Sequence, residues 1–287
     1  MDDWIKAGEI ASQAREYGKK LIKIGESHLE VTKKIEAKVF ELNGKLAFPT
    51  QISINNIAAH YNPLVDNDFK FKEGDVAKLD IGVHVNGAIG DTAVTVDLGN
   101  NEKLLKASKN ALNVALEITK PGVKIREIGR VIHEEITSLG FSPIRNLGGH
   151  GLDRWKIHTE PSIPNFDNGD ENKLKEGQII AIEPFASSGA GLIYDGKLSE
   201  IYQVVINKNV RDINARKILK FAYEKYKTLP FARRNLPFNK LQLSVGINAL
   251  KREGILHEYS TLPEKKENCL VSQHEHTVIV GKTVTTK

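Results

Sequence analysis

Apolar residues recur at mixed three- and four-residue spacing through "DDWIKAGEIASQAREYGKKLIKIG" and again through "ESHLEVTKKIEAKVFELNG". This predicts two amphipathic helices, the second closed by Gly44 as its C′ residue. "KLAFPTQISINNIAAHYNP" carries no helical period. The pattern then changes to that of strands in "VAKLDIGVHV" and "AIGDTAVTVDL", hinged on Asn86-Gly87, the strongest short hairpin signal. A turn centred between those two residues pairs Gly82 with Asp91. Asp80 and Asp91 then lie on one face as diagonal neighbours, about 7–8 Å apart at Cα. Gly82, with no side chain, is expected to leave room there for an ion. Leu79, Ile81, Val83 and Val85 form the apolar face of the first strand, and Lys78, Asp80, Gly82 and His84 the face turned to water or to a site.

The pattern then restarts. "NEKLLKASKNALNVALEIT" and "KIREIGRVIHEEITSLG" read as helices, and "FSPIRNLGGHGLDRWKIH" as a loop. "KEGDVAKLD" at 72–80 is answered by "KEGQIIAIE" at 175–183, and in each copy the carboxylate comes six positions after the glycine. Helix, helix, His-bearing loop, Lys-Glu-Gly, strand and acid thus occur twice. The repeat predicts two similar halves about a pseudo-twofold axis, with Asp80 and Glu183 equivalent and facing one shared cleft.

Charge adds one feature. The whole chain is +5, but residues 203–257 hold twelve basic and three acidic side chains, a net +9. Two stretches in that segment, "DINARKILKFAYEKYK" and "NKLQLSVGINALKREG", read as helices. No apolar run approaches the ~20 residues that span a bilayer. The acidic start is no secretory signal, and Cys269 is the single cysteine, so the expected compartment is the cytoplasm and no membrane contact is expected.

Two aspartates brought close and buried need a compensating cation. Further ligand candidates are His150, flanked by glycines, and Glu275 in "SQHEHTVIV". Strand alternation sets Glu275 opposite to His274 and His276, so the three do not form one cluster. With Glu183 the set becomes four carboxylates and one histidine. It suits a pair of divalent ions such as Mn, Fe or Co better than a structural zinc. Paired ions of this kind make hydrolytic centres.

Taken together, "AFPTQISINNIAAHY", "KLDIGVHVNGAIGDTAVTV", "NLGGHGLDRWKIH", "IAIEPFASSG" and "SQHEHTVIV" resemble the methionine aminopeptidases, in family order and over nearly the whole chain. The resemblance implies the "pita-bread" fold of creatinase-type enzymes, an α+β domain over 1–287 with a central antiparallel sheet flanked by helices. The 92 positions between Glu183 and Glu275 match the type II form, with a helical insertion at 203–257, and the chain looks archaeal in type. The resemblance further implies two divalent ions (Co, Mn, Fe or Zn) held by Asp80, Asp91, His150, Glu183 and Glu275, with a hydroxide between them attacking the carbonyl of an N-terminal methionine before a small residue. It makes Glu183 the proton shuttle, His60 and His158 the substrate-contacting histidines that also stabilise the oxyanion, and Phe48, Ile157 and Tyr259 the methionine slot. Ile201 departs from a pocket histidine of some type II relatives. The partners it implies are nascent N-termini. A monomer is expected, and the +9 charge of the insertion makes ribosomal RNA a further expected partner, met through Arg233, Arg234, Lys251 and Arg252.

Two alternatives use the same fold. One is a proline dipeptidase or aminopeptidase P, which carries a separate N-terminal domain; the other is an RNA-binding relative without a working metal site.

Overall fold

The two Lys-Glu-Gly phrases build one turn twice. Gly74 and Gly177 take φ of 87° and 75°. Gly74 N donates to Leu98 O and Gly177 N to Val280 O, each at 2.9 Å. The segments before them are tied alike: Gly25 N donates to Phe71 O and Gly122 N to Leu174 O, each at 2.8 Å. This computed structural model, which describes residues 1–66 and 69–287, therefore contains the expected duplication down to single hydrogen bonds.

In the first half, α1 (Asp2–Leu21) and α2 (His28–Glu41) precede β1 (Lys45–Leu46), β2 (Gln51–Ile54), β3 (Ile57–Ala59), β4 (Val76–Val85) and β5 (Ala88–Asp97). In the second, α3 (Glu102–Ile118) and α4 (Ile125–Ser138) precede β6 (Ser142–Pro143), β7 (Gly149–Asp153), β8 (Lys156–Ile163), β9 (Ile179–Ile182) and β10 (Phe185–Ser187). β11 (Leu198–Val204), α5 (Ile213–Tyr226), β12 (Phe231–Ala232), α6 (Lys240–Arg252) and β13 (Leu256–Ser260) follow. The chain closes with β14 (Leu262–Pro263), β15 (Val271–Gln273), β16 (Glu275–Ile279) and β17 (Thr283–Val284).

The central antiparallel sheet runs β1-β4-β5-β16-β9-β7-β8. Each half lays its helix pair on it and has its own core. Ile10, Ala14 and Ile35 pack on Leu79 and Ile81 in one, and Ala111, Ile128 and Ile132 on Ile180 and Ile182 in the other. Residues of β11, α5, α6 and β13 form a further core around Ile218, Tyr226 and Leu250. Asp212 and Asn239 cap the two helices there, accepting from Ala215 N and Gln242 N. Arg234 ties this unit to α2 through two hydrogen bonds to the Glu36 carboxylate, at 2.7 and 2.9 Å, and Thr50 N donates to the same group.

Two expectations are corrected, and one alternative is decided. The left-handed residue after α2 is Asn43, φ 63°, and not Gly44; asparagine tolerates that region, and Gly44 instead abuts Val83. The "loop" at 141–158 contains β6, β7 and the start of β8, and His150 sits on β7, because backbone pairing with β9 needs no alternation of side chains. The polar face of β4 does not look at water: Lys78 is fully buried, its Nζ donating to Asn55 O at 2.8 Å, and His84 lies under Trp155.

Candidate metal centre

Two rows across the sheet carry the candidate ligands. Asp80 pairs with Ala93, and Ala93 with Glu275 on its other side. Ala93 offers only a methyl between the two acids. Glu183 comes next across, one residue past the end of β9, where Pro184 breaks the ladder. In the adjacent row Asp91 faces Gly82 on one side and bonds Thr277 on the other; Thr277 pairs with Ala181, and Ala181 with His150. The hairpin register is the one expected from Asn86-Gly87. Asp80 and Glu183, at matching places in the two halves, line the same cleft.

The ligand atoms of Asp91, His150 and Glu275 lie within 4.8 Å of one another. His150 Nε2 is 3.8 Å from Asp91 Oδ2 and 3.7 Å from Glu183 Oε1. His150 Nδ1 lies 3.1 Å from Gly151 O. A carbonyl only accepts, so Nδ1 carries the proton and Nε2 keeps its lone pair for a ligand. Buried Asp80 Oδ1, Asp91 Oδ1 and Glu275 Oε2 have no hydrogen-bond partner among the described residues.

The protonation states fit a site made for cations. Burial pushes the Asp80 carboxyl up to about 7. Burial first, and the neighbouring acids second, push Asp91, Glu183 and Glu275 well above the usual carboxylate range. Burial holds His150 down at about 3, hence neutral. Four buried acids, three of them with an orphaned oxygen, beside a neutral imidazole are an oxygen-rich donor set that lacks only positive charge.

The cleft above has a volume of about 620 Å³, and Phe48, His60, Ile157, His158 and Tyr259 all line it. His60 is in the left-handed region at φ 63°, held by its N–H to Gln51 Oε1 at 2.8 Å and by Nδ1 to Ser260 O at 3.1 Å. Its acceptor role follows: with Nδ1–H spent on a carbonyl and burial lowering its pKa to about 4, Nε2 is a bare acceptor near neutral pH. His158 stands edge-on to His150, ring centres 4.5 Å apart. Phe48 and Ile157 are buried in one apolar cluster. Tyr259 packs edge-on to His60 and donates its hydroxyl to Gln203 Oε1 at 2.8 Å.

Gly82 does not make room for an ion. A Cβ there would meet Phe48 Cε1 at 2.1 Å, so the missing side chain seats the Phe48 ring.

Sequence reasoning missed Gln273, Gln51 and Gln203. Gln273 is fully buried and donates to Glu183 Oε2 at 3.2 Å. Its place two residues before Glu275 was a usable signal, since alternation puts both on one side. His274 and His276 do point elsewhere, to Ser108 and Thr286.

The pattern of metallopeptidase family M24 matches residues 3–218. A methionine aminopeptidase of Archaeoglobus fulgidus is 47% identical over 99% of this chain and 97% of its own length. One of Pyrococcus abyssi is 46% identical over 98% of this chain and 97% of its own. Among solved structures, a thermophilic Arx1 superposes with TM-score 0.86 at 17% identity, over 99% of this chain and 89% of that one. The methionine aminopeptidase of Thermotoga maritima gives 0.71 at 24% identity, over 100% and 96%. These two likenesses are of fold. A prolidase of Pyrococcus furiosus gives 0.56 at 28% identity, over 64% of this chain and 55% of its own. Among the described residues no helix is long and apolar enough to cross a membrane.

Proposed function

The chain belongs to metallopeptidase family M24, and on that premise we propose that its cleft removes the N-terminal methionine of nascent polypeptides, preferring a small second residue. The observation that carries this is the cluster of partnerless carboxylate oxygens at the floor of a cleft whose wall includes Phe48, Ile157 and Ile201. Asp80, Asp91, His150, Glu183 and Glu275 would hold two divalent ions, whose charge activates water and polarises a carbonyl.

The chain's own groups divide the remaining work. Phe48 and Ile157 exclude water from the methionine side chain, and Tyr259 closes that slot. His60 Nε2 accepts from a substrate N–H and so aligns the scissile amide. His158 is free to donate toward the carbonyl oxygen as charge develops there. Glu183 receives a proton and passes it to the leaving amine, with Gln273 holding the carboxylate by its Oε2. Residues 203–257 are the type II insertion, and the enzyme works as a cytoplasmic monomer. The test is metal content and rate together. Wild type should bind about two Mn or Co per chain, and Asp91→Asn and Glu275→Gln should lose both metal and turnover. Full activity in either variant would refute the assignment.

The basic segment supports a second reading, contact with ribosomal RNA, through only part of the residues first expected. Arg233, Arg234 and Lys251 are spent in internal pairs with Glu200, Glu36 and Glu258. Arg252, which is exposed, and Arg216 and Lys217 on the exposed side of α5 are the better candidates. Charge reversal at these three should abolish ribosome co-sedimentation, and persistence of it would sink this reading.

A further inference from the structure

We infer that a second groove, next to the catalytic cleft, binds the stretch of substrate polypeptide that follows the cleaved methionine; this rests on the aminopeptidase reading above. The groove has a volume of about 1220 Å³, and its walls continue those of the cleft. His60 lines the cleft, while Tyr61 and Asn62 line the groove. Ile201 lines the cleft and Ser199 the groove; Tyr259 lines the cleft and Thr261 the groove. Residues two apart on an extended chain share a side and stand about 7 Å apart. Cleft and groove thus open on the same side of the Tyr259–Thr261 segment, one pleat from each other.

The lining suits a polypeptide. Leu64, Val65, Tyr194 and Leu198 are exposed by 44%, 61%, 50% and 57%, and all four face this one groove. Apolar surface gathered at a concavity marks a binding site more than scattered apolar residues do. Apolar sockets along one concave wall suit the side chains of an extended peptide segment. Continuity with the cleft selects the substrate itself, whose chain must leave past His60 and Tyr259.

The test compares Met-Ala-Ser with a methionyl peptide of about ten residues, which spans about 33 Å when extended. Val65→Glu and Leu198→Glu are the variants, chosen because both side chains are exposed and neither is in the catalytic machinery. Wild type should cleave the longer peptide with kcat/KM roughly tenfold higher, a difference of about 1.4 kcal/mol. Each variant should lose that gain through KM and keep the tripeptide rate. No gain with length, or a gain that survives both variants, would overturn the groove. So would variants that only convert a dimer to a monomer, which would mark a surface for a second copy. If the tripeptide is not cleaved at all, the aminopeptidase reading fails instead. The groove is then judged by anisotropy of the labelled longer peptide, whose binding Leu198→Glu should weaken and must weaken if the inference stands.

Discussion

His150 Nε2 stands 3.7 Å from Glu183 Oε1. That is too long for a hydrogen bond and too short for two groups that ignore each other in a buried site. Two ligands each about 2.1 Å from one ion lie at most about 4 Å apart. His150→Ala should therefore lower metal content from about two to about one per chain, with circular dichroism unchanged. Undiminished metal content would remove His150 from the ligand set.

The raised carboxyl of Asp80 makes a prediction for metal-stripped protein. Its folded pKa of about 7 lies above its ordinary 3.8, so the folded state binds more protons there and its stability falls as pH rises through that window. The buried histidines act in the opposite direction, so the clean quantity is a difference between proteins. Asp80→Asn should stabilise the metal-stripped fold at pH 8 in urea denaturation, and the gain should shrink steadily as pH falls from about 7 toward 4. With metal restored, the same substitution should destabilise. A gain independent of pH would contradict the account.

Phe48 occupies the space above Gly82. Gly82→Ala places a methyl 2.1 Å from the ring and should cost about 1–3 kcal/mol of stability, with a raised KM for methionyl peptides. Shortening the ring in the double variant Gly82→Ala, Phe48→Leu should recover stability but not KM. Equal recovery of both would mean that the ring does not shape the slot.

Tyr259 and Gln203 should act as one unit. Each of Tyr259→Phe and Gln203→Leu removes the same 2.8 Å hydrogen bond, so each should raise KM by about fivefold with kcat nearly unchanged, and the double variant should be no worse than either. Gln203 also donates to Thr228 O, so a purely structural role would show as additive effects.

Much of this site was legible because its determinants are local. The Asn86-Gly87 turn sets a register, a period of two fixes which side chains share a face, and the Lys-Glu-Gly repeat marks Asp80 and Glu183 as equivalents. What stayed hidden depends on segments far apart in the chain. The ring that fills the space over Gly82 comes from Phe48, outside the hairpin. Lys78 is buried because Asn55 and Val76 offer it carbonyls, which no strand pattern reveals. His150 reads as a loop residue because its glycines mask a strand held by backbone pairing alone. Arg233, Arg234 and Lys251 look like free charge until their acids, two of them in distant segments, fold against them.

The central claim is tested most directly by methionine release from Met-Ala-Ser, using metal-stripped protein and then the same protein with Mn, Co, Fe or Zn restored, beside Ala-Pro-Ala as control. The account predicts no release without metal, release with at least one of the four, and an untouched control. Cleavage of Ala-Pro-Ala, or no release with any metal, would contradict it.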